Sequence, residues 1–243
     1  MTCATRQVSL ATEMTMLSRT LYAALVAGAV AGVLLFVLQS WTTLPLIHQA
    51  ERYETAQAPV HPHSHANEPS DSQLVRAAYT TMGDVLVGIG FAMLLAAMYA
   101  LSGKSGLVPG LLWGLAGFAT FHLGPALVVP PSIPALVLAP LSIRQAAWLI
   151  AAFCTGLGLA IFAFRPKAAK VGGLLLLFLP TVFFRFLFSV SGNDIPSPAL
   201  YALERLFTVY VLGDFLLFWL VLGALSGRLF EQSADFHSDA GLT

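Results

Sequence analysis

Charge is what this chain has least of. Only 10% of its 243 residues are Asp, Glu, Lys or Arg, against roughly 25% in an ordinary soluble domain, which is too little to coat a water-facing surface. The 12 basic and 12 acidic residues cancel to a net charge of zero, leaving no overall field for nucleic acid or another polyanion. Cys3 and Cys154 are too few, and the second too deep in an apolar run, for a disulfide framework. Catalytic motifs are missing as well. Gly103-Lys104-Ser105 has the tail of a phosphate-binding loop, but the first glycine of G-x-x-x-x-G-K-S would fall at Met98. With no H-E-x-x-H, G-x-S-x-G or paired C-x-x-C either, the chain reads as a non-enzyme.

What is abundant is apolar surface: 57% of the residues are hydrophobic and the mean hydropathy is +0.79. Crossing about 30 Å of hydrocarbon takes about 20 helical residues. Stretches of that kind fall near residues 20–40, 82–101, 107–129, 146–164, 171–190 and 206–227. They predict an all-α, polytopic transmembrane bundle over 20–228, with tails at 1–19 and 229–243 and one long outer loop at 42–79. Pro130-Pro131 and Pro134 end the third span, because proline removes a donor and clashes with the preceding turn. The first apolar run passes into Trp41 and Pro45 rather than a small-residue cleavage site, so it reads as a span and not as a secretory signal.

An even number of spans puts both termini on one side. With the termini in the cytoplasm, Arg6, Arg19, Lys104, Arg165, Lys167, Lys170 and Arg228 lie inside, against Arg52, Arg76, Arg144 and Arg205 outside. That bias predicts a multi-pass protein of the bacterial inner membrane with both termini cytoplasmic. Gly28 and Gly32, and Gly106, Gly110 and Gly114, have the small-xxx-small spacing that lets helices approach closely in lipid.

Four of the six histidines sit in the outer loop: His48, His61, His63 and His65. In an extended chain, which Pro62 favours, His61, His63 and His65 project to one side. Neutral imidazoles so placed can share a divalent transition metal; the alternative is a polar connector in which histidine is incidental. As metal capture it is weak and sensitive to pH, since the ligating imidazole must be unprotonated and its ordinary pKa is about 6.5. On a helix continuing the first span, His48 and Glu51 share a face, either as a ligand pair at a mouth or as an interfacial turn.

Five ionisable residues lie in or at the edges of spans: Asp84, His122, Arg144, Arg185 and Asp214. Each must face protein or water, since a charge at mid-membrane costs roughly 2.5–3.5 kcal/mol. Arg185 and Asp214, on consecutive antiparallel helices, form either a structural ion pair or a gate beside an Asp214 cation ligand. His122 is either a metal ligand on the path or an imidazole satisfied by a neighbouring carbonyl.

Taken in order, these features resemble the CbtA family, the membrane subunits of a cobalt uptake system. The resemblance runs from about Leu17 to Phe230. It rests on Arg19 to Gly28, on Pro45-Leu46-Ile47 with Glu51-Arg52-Tyr53-Glu54, on the His-rich loop and on Gly88-Ile89-Gly90-Phe91. Gly110 to Phe118, Pro125-Ala126-Leu127, Arg144 to Trp148 and Phe218 to Gly223 complete it. It implies cobalt as the transported ion and a small single-span companion subunit with its own His-rich tail. The expectation is a divalent-metal uptake subunit with no resident cofactor, in which His61, His63 and His65 capture the ion and His48, Glu51, His122 and Asp214 line its path. Inward movement of a divalent cation gains about 4.6 kcal/mol per 100 mV, so no ATP is required. The rival expectation is a non-transporting scaffold or periplasmic metal sensor.

Overall fold

The computed structural model describes the backbone of residues 3–57, 70–133, 140–188 and 198–240, and side chains within 18–52, 74–133, 140–184 and 198–232. Every regular element among these residues is helical. In order they are α1 (Cys3–Trp41), α2 (Thr43–Gln57), α3 (Ser70–Ser102), α4 (Leu107–Phe118), a π-helical turn (Ala119–Leu123), α5 (Gly124–Val128), α6 (Leu141–Phe164), α7 (Lys167–Phe188) and α8 (Pro198–Ala240). Six stretches are long and apolar enough to cross a membrane: Ser18–Trp41, Leu74–Ser102, Leu107–Val128, Leu141–Phe164, Lys167–Phe184 and Pro198–Gln232. The polytopic all-α architecture expected from the sequence is therefore the one observed.

The helices run further than the apolar stretches. The segment 42–79, expected as a loop, is helical through α2 and again from Ser70. Charged residues such as Arg76 and Asp84 mark the edge of hydrocarbon but do not unwind a helix, whose bonds are made within the segment. Proline sets the real boundaries. Pro45 has no donor to give, which costs nothing in the first turn of α2, while its ring excludes the carbonyl of Trp41, where α1 ends. Arg165, held extended ahead of Pro166 at φ −107° and ψ 157°, closes α6.

The chain divides into two compact units. The first comprises Met1–Phe36, Glu68–Leu115 and Leu217–Thr243, and it is packed through glycine. On α1 the buried stripe Ala24, Ala27, Ala31 and Leu35 follows helical periodicity. A Cβ on Gly28 would overlap the Ile89 backbone of α3, and one on Gly32 would lie 2.6 Å from the Asp84 carbonyl oxygen. Between α4 and α8, Gly110 and Gly223 each meet the other's carbonyl oxygen, and Gly114 meets that of Trp219. Gly106 adopts φ +104°, which a side chain would strain, and donates its N–H to Gly227 O at 2.9 Å, while a Cβ on Gly227 would overlap the Gly106 carbonyl oxygen. Around these contacts Phe91 packs on Trp219 with centroids 4.7 Å apart, and the Tyr99 hydroxyl lies 2.9 Å from Ser226 Oγ.

The second unit comprises Val37–Asn67 and Ala116–Leu216. Leu46 and Ala50 of α2 pack with Ile133 and with Leu200, Leu203 and Phe207 of α8. Val128, Ala147, Ala151 and Phe184 form a second cluster. The stretch after α5 is fixed where Thr208 Oγ1 donates to Pro131 O at 3.0 Å. Gly158 and Gly173 bring α6 and α7 together, a Cβ on either lying within 2.9 Å of the other's carbonyl oxygen.

Candidate functional site

Among the described residues, those expected to handle metal, His48, Glu51, His122 and Asp214, belong to the second unit, and a π-helical turn carries one of them. Pro125 cannot donate to the carbonyl one turn back and its ring crowds that carbonyl. The chain responds by widening the turn before it, so that the Gly124 N–H donates to Ala119 O, five residues back. Insertions of this kind favour functional positions, and His122 sits within this one. Its ring stacks on Phe215 of α8, with centroids 3.8 Å apart and planes 30° from parallel, and lies parallel to Phe118 at 6.3 Å.

His122 borders a cavity of about 570 Å³. Phe121, Pro125, Trp148, Val211 and Phe215 belong to its apolar wall, while Arg144 and Gln145 supply the other polar side chains. Among the described residues no carboxylate lines it.

Asp214 is 4% exposed. Its Oδ2 lies 2.6 Å from Thr42 Oγ1, at the junction between α1 and α2. Asp214 and Phe215 are consecutive on α8, hence about 100° apart around its axis, and Asp214 is not in the cavity wall. The α-helical register of α2 brings His48 Nδ1 within 3.3 Å of Glu51 Oε2, with both side chains about half exposed at 55% and 48%. Among the described residues no three His, Cys, Asp or Glu side chains converge as a metal cage. The described geometry thus holds a His–Glu pair, a buried carboxyl and an aromatic-stacked imidazole at separate positions. His61, His63 and His65 lie outside the described residues, as does the side chain of Arg185.

Two further groups emerge from the fold. Thr42, 172 residues from Asp214 in sequence, carried no signal of its role. Asp84 of α3, one of the five ionisable residues counted at membrane depth, has a buried Oδ2 with no hydrogen-bond partner among the described residues. An intramembrane carboxylate was the available signal.

No curated protein and no solved structure matches the chain. The CbtA family profile, described as a probable cobalt transporter subunit, matches residues 17–231 and so takes in nearly all of the six apolar helices. That description is of a transporter component rather than an enzyme, and a match of this extent places this multi-pass, all-helical chain in the CbtA family.

Proposed function

We propose that this chain is the inner-membrane subunit of a divalent transition-metal uptake system whose cargo is cobalt. Family membership across residues 17–231 carries the reading. In it, His61, His63 and His65 capture the ion outside, His48 and Glu51 receive it, and with them His122 and Asp214 line its path, with both termini in the cytoplasm. The His48–Glu51 pair supports the receiving step, because imidazole and carboxylate 3.3 Å apart suit a borderline divalent cation completed by water. A capture loop of nitrogen and oxygen ligands does not itself select cobalt over copper, nickel or zinc; selection belongs to the pathway and to a single-span companion subunit.

Reconstitution into liposomes tests this. With an inward-negative potential and the companion present, wild-type protein raises cobalt influx above that of protein-free vesicles, and His122→Ala cuts it at least tenfold while inserting normally. Cobalt binding without any increase in flux would instead identify a scaffold or sensor.

A further inference from the structure

The cavity beside His122 has a composition that metal handling leaves unexplained. Among the described residues its walls are aromatic and aliphatic, with the Arg144 guanidinium as the one formal charge and no acid. Arg144 has no ion-pair or hydrogen-bond partner among the described side chains. An arginine at the edge of an apolar cavity, with no carboxylate beside it among the described residues, is costly in a membrane unless an anion joins it.

Position narrows the class of anion. Arg144 lies in the first turn of α6, where its N–H donates to Pro140 O at 3.2 Å, and the apolar stretch of that helix begins at Leu141. A helix of 24 residues is about 36 Å long, slightly more than the hydrocarbon core. Its first turn therefore falls at headgroup depth. Leu141 and Leu149, both in its lining, are 65% and 61% exposed. In a bilayer these exposed leucines face acyl chains.

We infer that this cavity is a binding site for one anionic phospholipid, its phosphate held by Arg144 and Gln145 and an acyl chain lying along Trp148, Phe121 and Phe215. Arginine suits a phosphodiester because its planar fork offers paired donors, and basic pockets between membrane helices bind acidic headgroups in this way. The bound phosphate supplies the negative charge that the cavity lacks, beside the ring of His122.

Native mass spectrometry of the full chain in mild detergent tests the site without metal, so its outcome is independent of transport. Phosphatidylglycerol and phosphatidylethanolamine with identical acyl chains are compared. Wild-type protein should retain the anionic lipid about fivefold more strongly, the increment expected of one arginine at a membrane surface. Arg144→Ala should abolish that preference and Arg144→Lys should keep part of it, while Arg228→Ala, at an exposed position elsewhere, should leave it intact. Equal retention of the two lipids by wild-type protein, or an equal loss in Arg228→Ala, overturns the proposal and needs no folded Arg144 variant. Displacement of phosphatidylglycerol by millimolar inorganic phosphate also overturns it, in favour of a soluble anion.

Discussion

Thr42 has one hydroxyl hydrogen and two oxygens within reach, Leu38 O at 2.8 Å and Asp214 Oδ2 at 2.6 Å. An ionised Asp214 takes that hydrogen away from the carbonyl, whereas a protonated Asp214 donates its own and leaves Thr42 bonded to Leu38. Either way the hydroxyl keeps a carboxyl at 4% exposure from being stranded. Thr42→Val preserves the shape and removes the partner, so it should lower stability by about 1–3 kcal/mol, read as a depressed Tm in detergent, while Thr42→Ser stays close to wild type. At this scale the sequence shows that Asp214 needs a partner, because burial in a membrane demands one. It does not show which, since the hydroxyl comes from the other end of the chain.

Among the elements, glycine spacing and proline placement do most of the specifying. The small-xxx-small pattern on α1 and α4 is visible in sequence, yet the surfaces it meets, the backbone at Gly88 and Ile89 on α3 and at Gly223 and Gly227 on α8, are set by packing. Gly223→Ala places a methyl against the Gly110 carbonyl and should cost about 1–3 kcal/mol by overpacking. Gly213→Ala, on the same helix with nothing within 4 Å, should be neutral or stabilising by up to about 1 kcal/mol; thermal unfolding of the two variants side by side measures the contrast. The His-rich segment is the complementary case, where composition carries the whole expectation. Deleting residues 61–65 should lower uptake at scarce cobalt and spare it at high cobalt. That scarce-cobalt advantage should fade as pH falls below about 6.5, because protonated imidazole has no lone pair to give. Uptake assayed at both concentrations and two pH values decides it.

Across the whole molecule, the residues sort by role. Every glycine expected to pack helices, Gly28, Gly32, Gly106, Gly110 and Gly114, lies in the first unit, and the candidate ligands among the described residues, His48, Glu51, His122 and Asp214, lie in the second. Sidedness is also a whole-molecule property, carried by seven basic residues against four. In a background lacking Cys3 and Cys154, Gln49→Cys should react with an impermeant thiol reagent on intact cells, and Lys104→Cys only after permeabilisation. The reverse pattern would invert the orientation and move the His-rich segment to the cytoplasm.

Sequence by itself determined the all-α class, the six apolar stretches, the family and the residues worth testing. Those depend on hydrophobic length, charge count and local residue identity, which the chain carries without folding. Structure alone decided that Pro125 opens a π-helical turn around His122, that Thr42 reaches Asp214, and that Arg144 lines a cavity with no acid among its described residues. The turn is a local backbone response that composition and hydropathy do not register, while the other two depend on what a distant segment brings within a few ångströms, and in a bundle of uniformly apolar helices no local pattern encodes which faces meet.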